Sequence, residues 1–584
     1  MKALLVALNA KYIHSNLGIY CLYAYSLKHG VSAGELEMAE YTINQNMQEI
    51  LGDIYERKPT LIGFSCYIWN IEMIQKIACE VKKILPECKI WFGGPEVSFD
   101  ARQMIIDTPW LDGIMTGDGE QTFLELLQYE KNPQSMQLKE IAGIVTRTKD
   151  GKVLCTKTRE RLPLDEVVFP YQDMQKLEHR IVYYETSRGC PYGCSYCLSS
   201  VDKRVCFRSL EKVEKELQFF LDQKVPQVKF VDRTFNCNRE HTMGIWKYIY
   251  EHDNGITNFH FELSADLLTE EEIAYVKQFR PGLVQFEIGV QSANEQTIHA
   301  IHRKMNLDVL EEKVRSIQEG GNIHQHLDLI AGLPYEDYDS FHQSFCRVYQ
   351  MKPDQLQLGF LKVLKGSPMH QEAEQYGIVY SDFPPYEVLY TKWLSYQDIL
   401  RLKGIEEMVE RYYNSMQFQA IVPYLVQQFP DSFSFYEALS LFYKEKGYKT
   451  LQQSRMQNYE ILYEFAEEKG FDLTICKELL TYDLYARENL KKEPAFLQKR
   501  ERTKEEKEFL WQFFSAEEKQ KKYFPDYEKY DTKQKIRMIH VEWFQYDILS
   551  FIANNQLEKK EIIVGFDYQK RNPLNYQAKV QYIE

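Results

Sequence analysis

The chain has 584 residues, a length at which about four domains of roughly 150 residues are expected. Hydrophobic residues make up 44% and charged residues 27%, ordinary globular usage that excludes a wholly disordered or fibrous chain. Lys and Arg number 71 against 85 Asp and Glu, a net charge of −14 that argues against a general nucleic-acid coat. No apolar run approaches the roughly 20 residues needed to cross a bilayer. The opening MKALLVALNAKYIHSN has too short an apolar run before its polar loop to read as a signal peptide. A cytoplasmic protein with no membrane or nucleic-acid partner is expected, and its 12 cysteines are then reduced.

From Met1 to about Tyr129, short apolar runs alternate with amphipathic stretches. Strands are predicted at Ala3–Leu8, Leu36–Ala39, Leu61–Ser65, Lys89–Phe92 and Gly113–Thr116. Helices are predicted at Gly18–Leu27, Met47–Arg57, Ile71–Leu85 and Glu120–Tyr129. This alternation implies an α/β fold, a parallel sheet covered on both faces in a flavodoxin-like (Rossmann-like) arrangement. Ile141–Arg159 breaks the rhythm with β-formers around Asp150-Gly151, a hairpin signal, and Leu162–Tyr171 with its two prolines reads as a linker. A second series follows, with strands at Ile181–Glu185, Gln227–Val231, Phe259–Ser264, Leu283–Gly289, His324–Ile330 and Gln355–Phe360. Six βα units fall short of a closed eight-fold barrel and fit a partial (β/α)6 one. Residues 386–560 read as mostly helical, with a β-like finish near Glu561–Phe566 and Ala578–Ile583. The mixed charge run Lys499–Lys507 reads as a solvated face, and the Tyr- and Trp-rich helices as core.

One cluster carries chemistry: Cys190, Cys194 and Cys197 in Glu185-Thr-Ser-Arg-Gly-Cys-Pro-Tyr-Gly-Cys-Ser-Tyr-Cys197, directly after the first strand of the second series. Structural zinc normally has four protein ligands, and no fourth Cys or His follows at zinc-ribbon spacing. Three thiolates suit a 4Fe-4S cluster with one iron left open. Zinc and unliganded thiols remain the alternatives.

CxxxCxxC with Tyr196 before the third cysteine, on the loop after the first strand of a partial barrel, resembles the radical S-adenosylmethionine (SAM) superfamily. The resemblance implies that SAM chelates the open iron and is cleaved reductively to a 5′-deoxyadenosyl radical. It also assigns SAM-side roles to later strand ends. Asp232 lies in Phe230–Asn236, Glu262 and Ser264 in Phe259–Asp266, Gln291 and Ser292 in Gly289–Ser292, and Gly332 in Asp328–Pro334. Each alone could simply cap a helix or close a strand.

In the first series the strand ends carry Asn9, Ser65, Gly93-Gly-Pro-Glu96 and Gly117-Asp-Gly-Glu120, where open α/β sheets bind ligands. No strand-end Asp marks a response regulator, and no GxGxxG follows the first strand to bind a nicotinamide. The pattern resembles the cobalamin-binding (B12-binding) domain found before many radical SAM cores. Asn9, Ser65, Gly93, Gly94, Gly117, Gly119 and Glu120 are the cofactor-facing positions it implies. The Asp-x-His-x-x-Gly motif that supplies an imidazole to cobalt is absent, since His14 is followed by Ser-Asn-Leu, so base-off cobalamin without a protein histidine is expected.

The domains expected are a cobalamin-binding domain at 1–140, hairpin and linker at 141–177, a radical SAM core at 178–385 and a C-terminal domain of unassigned function at 386–584. The resemblance implies a 4Fe-4S cluster, SAM and cobalamin, an electron donor such as flavodoxin or ferredoxin, and a small-molecule or peptide substrate. Methyl transfer to an unactivated carbon or to phosphorus is the expected reaction. A cobalamin-containing rearrangement or cyclisation is the enzyme alternative, and a cobalamin or redox sensor the non-enzyme one. Methylthio transfer would need a second cysteine triad, which the upstream sequence lacks.

Overall fold

The computed structural model describes residues 1–448, 453–490, 494–497 and 502–584, so residues 499–501 of the mixed charge run lie outside the described residues. These residues form two compact units. The first comprises Met1–Ile323, Ile330–Asp337 and Gly359–Ser395, the second His324–Leu329, Tyr338–Leu358 and Tyr396–Glu584.

The first unit opens with strands β1 (Ala3–Asn9), β2 (Leu36–Thr42), β3 (Leu61–Ser65), β4 (Lys89–Gly93) and β5 (Gly113–Met115). They pair in parallel in the order β2-β1-β3-β4-β5, the flavodoxin-like order. All seven residues of β1 are buried because both its faces are covered. Leu4, Val6 and Leu8 pack into one apolar cluster with Ile74 and Ile77. Ala3, Leu5 and Ala7 pack into another with Phe123 and Leu126. The predicted hairpin is present as β6 (Ile144–Arg147) and β7 (Val153–Cys155), and it extends this same sheet with two antiparallel strands. The segment read as a linker is packed, with Leu164, Val167 and Tyr171 buried. Two helices, Pro95–Ser98 and Ala101–Asp107, join β4 to β5 where none was predicted.

The second series begins with β8 (Val182–Tyr184), followed by a short antiparallel pair, β9 (Ser187–Arg188) and β10 (Cys206–Phe207), which closes the cysteine loop at its root. β11 (Gln227–Phe230), β12 (Asn258–Leu263) and β13 (Val284–Gln291) then pair in parallel with β8 in the order β8-β11-β12-β13. Along each, apolar residues facing the helices alternate with polar residues facing the barrel lumen, for example His260 and Glu262 against Phe259 and Phe261. The chain continues through β14 (His324–Ala331) and β15 (Gln355–Phe360), completing six βα units. A small hairpin, β16 (Val379–Tyr380) and β17 (Val388–Tyr390), ends this part.

The second unit is mostly helical. Many of its aromatic residues are core, as expected: Phe435, Tyr436, Tyr443, Tyr459 and Phe465 are buried, whereas Tyr396 and Trp511 are exposed. The β-like finish is a three-stranded antiparallel sheet, whose first strand β18 (His540–Phe544) was not predicted. β19 (Ile562–Arg571) pairs with both β18 and β20 (Ala578–Tyr582).

Two glycines of the N-terminal strand-end loops differ in what they permit. Gly94 has φ of +117°, and a Cβ there would lie 2.4 Å from the Cys66 carbonyl oxygen. Gly117 has φ of +74° with nothing within 4 Å of the added atom. Gly117→Ala is expected to cost only the ~1–2 kcal/mol of a left-handed residue. Gly94→Ala should cost distinctly more, because backbone must move. Urea midpoints of the two variants test this, and equal losses would contradict it.

Candidate functional site

The carboxyl ends of β1, β3, β4 and β5 and the end of β8 open onto one cavity of about 1080 Å³, at or beyond the roughly 300–1,000 Å³ of ordinary small-molecule pockets. Asn9, Ser65, Gly93, Gly94, Gly117, Gly119 and Glu120 all line it from the N-terminal sheet. Tyr183, Glu185, Ser187, Arg188 and Gly189 line it from the strand that leads into the cysteine loop. The two sets of strand ends therefore face each other. A bulky, mixed-polarity ligand such as cobalamin fits a space of this size floored by glycines.

The faces are tied by charge. Arg188 reaches Glu185 at 2.8 Å on its own strand end, and Glu120 at 2.9 Å and Asp118 at 3.1 Å on the GDGE loop. Burial opposes the Arg188 charge, yet Glu185 and Glu120 hold its pKa well above the usual guanidinium value. Burial likewise opposes Glu120 ionisation, and Arg188 holds that carboxyl below its ordinary range. Further contacts join the same faces: His14 Nδ1 lies 2.7 Å from the Tyr183 hydroxyl, Ser15 donates to the Ile181 carbonyl, and Arg180 pairs with Glu40 at 2.8 Å. Asn9 donates to the His14 carbonyl and to Glu40.

In the cysteine loop, Cys190 and Cys194 are buried and Cys197 half-buried. Three thiolates on one short loop fit a 4Fe-4S cluster, which offers each of them a separate iron and leaves the fourth iron open. Burial pushes the Cys194 thiol up, and Arg303 opposes that shift, its Nη1 lying 3.9 Å from Cys194 Sγ and 3.3 Å from the Tyr196 hydroxyl. Such a cation offsets the charge that thiolates and cluster bring.

The strand-end residues divide by what they already bind. Asp232 is fully buried and does not face the cavity; it accepts from Thr186 N at 3.0 Å, Thr186 Oγ1 at 2.6 Å and Ser187 Oγ at 2.7 Å, holding the root of the cysteine loop. Ser264 Oγ donates to Asp266, and the buried Ser292 Oγ donates to Glu336 at 2.6 Å. Gly332 packs against Val388. Gln291 is different: its Oε1 is buried without a hydrogen-bond partner, and its backbone has φ of +74°, a strained value for a non-glycine residue. Glu262 has Lys229 Nζ 4.0 Å away, and burial, then Glu287, raises its pKa. Neither Glu262 nor Gln291 lines the cavity.

Arg188 and Arg303 were not singled out in the sequence. The signal for Arg188 was the acidic GDGE loop, which lacks a basic partner of its own; a lone Arg303 twelve residues past β13 offers none.

Three family models match the chain: B12 binding domain over residues 3–127, Radical SAM superfamily over 184–345, and Protein of unknown function (DUF4080) over 374–566. The cobalamin-dependent radical SAM methyltransferase TokK of Streptomyces tokunonensis is 25% identical over 359 residues, 57% of this chain and 51% of that protein. The anaerobic magnesium-protoporphyrin IX monomethyl ester cyclase of Rubrivivax gelatinosus is 21% identical over 313 residues, 51% of this chain and 55% of that protein. The chain spans about half the length of these curated relatives. A structure of the cobalamin-dependent S-adenosylmethionine radical enzyme OxsB, with aqua-cobalamin and S-adenosylmethionine bound, aligns with a TM-score of 0.59 at 16% identity. It covers 83% of this chain and 78% of that one, a likeness of fold.

A buried imidazole lies beneath the cysteine loop. Thr186 Oγ1 donates to Asp232, so at 3.1 Å it accepts from His241 Nε2. Burial lowers the His241 pKa to about 4. Because that value is depressed, the stability it confers is present above pH 6.5 and lost as pH falls toward 4. The loss is up to about 3 kcal/mol at 1.36 kcal/mol per unit. His241→Gln keeps a donor for Thr186 and should flatten this acid slope in denaturant midpoints taken from pH 7 to pH 4; an unchanged slope would exclude His241 as its source.

Proposed function

We propose that this chain, a B12-binding radical SAM protein with a C-terminal domain of unknown function, is an enzyme that uses SAM and cobalamin to transfer a methyl group to an unactivated carbon or to phosphorus. The observation that carries the reading is the single cavity shared by the glycine-rich strand ends of the N-terminal sheet and the strand that delivers the three cysteines. When bound, the cluster and SAM supply a hydrogen-abstracting radical, and cobalamin supplies a transferable methyl group.

The chain's own residues hold, orient and shield. Cys190, Cys194 and Cys197 would hold the cluster, with Arg303 offsetting its charge. Gln291 Oε1 and the Glu262 carboxylate are the strand-end groups with free capacity toward SAM. Gly93, Gly94, Gly117 and Gly119 let backbone approach cobalamin closely. His14 holds the Tyr183 hydroxyl through Nδ1, and the absence of an Asp-x-His-x-x-Gly motif around it favours cobalamin without a histidine on cobalt. A soluble reductant such as flavodoxin or ferredoxin would deliver the electron, and the substrate is a small molecule or peptide. No helix among the described residues is long and apolar enough to cross a membrane. The likeness to a cyclase keeps rearrangement or cyclisation as the second reading. Anaerobic reconstitution with SAM, cobalamin and cell extract, followed by mass spectrometry, separates the two: a gain of one methyl mass supports transfer, and an isomerised or cyclised product without that gain supports the second.

Replacing Cys190, Cys194 and Cys197 together by Ala should abolish the iron chromophore and SAM cleavage at once. Four irons per chain retained in that variant would refute the cluster assignment. Glu262→Ala should weaken SAM cleavage at least tenfold while leaving cobalamin content near normal. If it instead lost cobalamin and cleaved SAM fully, the two-site layout would be wrong.

A further inference from the structure

The second unit carries a donor set that the proposed chemistry does not use. His342 and Cys346 sit four residues apart on the helix Tyr338–Gln350, and so on one face of it. Asp431 caps the helix Ser432–Glu445, accepting from Ser434 N at 2.8 Å through Oδ1. Its other oxygen, Oδ2, lies 2.9 Å from His342 Nε2, and the ligand atoms of all three residues lie within 4.8 Å of one another. The imidazole stacks on Phe433 with ring centroids 4.3 Å apart and 16° between planes, which fixes the ring's direction. Ser432 Oγ donates to Cys346 Sγ at 3.7 Å, and all three donors are half-buried, open enough for an ion to enter.

We propose that His342, Cys346 and Asp431 form a binding site for one divalent transition-metal ion of the zinc class, with water completing its coordination. Nitrogen and oxygen atoms 2.9 Å apart are spanned by two bonds of about 2.1 Å to a common ion. The thiol closes the remaining distance by rotating about its Cα–Cβ bond. A mixed nitrogen, oxygen and sulfur set selects zinc or cobalt over magnesium or calcium, which prefer all-oxygen sites. The cap on Ser434 N holds the Asp431 carboxylate in place while its free oxygen ligates, as outer hydrogen bonds do at metal sites. On binding, the Cys346 S–H bond breaks, the proton leaves to solvent and the thiolate bonds the ion; the His342 proton shifts to Nδ1, with no change in oxidation state. The ion would staple the helix Tyr338–Gln350 to the start of the helix Ser432–Glu445.

The test uses the full chain with its cluster, purified anaerobically and titrated with Zn²⁺ against a chelator and, separately, with Co²⁺. One zinc per chain beyond the iron is expected, and a Co²⁺ form with thiolate-to-cobalt charge-transfer absorption. Both signals should persist when Cys190, Cys194 and Cys197 are replaced by Ala. Both should be lost in Cys346→Ser and in His342→Gln, the latter keeping a donor toward Asp431 so that the fold survives. Zinc should raise the melting temperature of the unaltered chain and not of these variants. Wild-type chain without zinc at micromolar free Zn²⁺, folded variants that bind as before, or zinc lost only with the three cluster cysteines would each overturn the site.

Discussion

The guanidinium of Arg188 is the contact on which the cavity depends. It sits with 17% of its side chain exposed, between one carboxylate of its own strand end and two from the GDGE loop. Removing a charge from water is costly, and it is tolerated only where partners are well placed. Separating the two faces would leave Asp118 and Glu120 without their cation and Arg188 with Glu185 alone. The same charges that make the site polar thus hold the N-terminal sheet against the start of the barrel. A cavity built this way keeps its walls at a fixed distance before any ligand arrives, which is what pre-organised binding needs.

That rigidity continues into the cysteine loop. Asp232 grips Thr186 and Ser187, His241 supports Thr186 from below, and the β9–β10 pair closes the loop's base. At the far side, Ser195 N donates to the Ile301 carbonyl, and the Ser195 carbonyl accepts from Met369 N. The three thiols are therefore presented by a backbone tied down on both flanks. Gly and Pro in the loop allow its tight path; the hydrogen bonds around it decide where that path lies.

Much of this was legible because burial on both faces writes short continuous apolar runs, as in Ala3–Leu8 and Leu61–Phe64, whose alternation with amphipathic stretches marks them as strands. Glycine clusters at strand ends were equally plain. The helices Pro95–Ser98 and Ala101–Asp107 were hidden because Gly-Gly-Pro reads as loop, although proline at a first helical turn is favourable. β18 was hidden because its five residues gain their meaning from β19, some twenty residues later. That the segment Leu162–Tyr171 is packed was not legible from its prolines, since composition does not reveal that Arg208 donates to the Val167 carbonyl. Arginines act at a distance in sequence, so Arg188 and Arg303 carry no periodic signature.

Motif logic treats Asp232, Glu262, Ser264, Gln291 and Ser292 as one class, polar residues at successive strand ends. Geometry divides them. Three have their oxygens engaged by neighbouring protein groups at 2.6–3.0 Å, so their first task is to fix the strand ends in place. Gln291 stands apart, because a buried amide oxygen without a partner and a left-handed backbone are both unfavourable unless the surroundings impose them. The imposition is visible. Gly289 leaves the room that the Gln291 amide occupies, since a Cβ there would lie 2.3 Å from Gln291 Nε2, and Arg303 donates to the Gly289 carbonyl. The same arginine extends to Cys194. One cation thus links the strained end of β13 to the thiol loop, so the strand end that carries Gln291 and the loop that carries Cys194 are held by the same side chain.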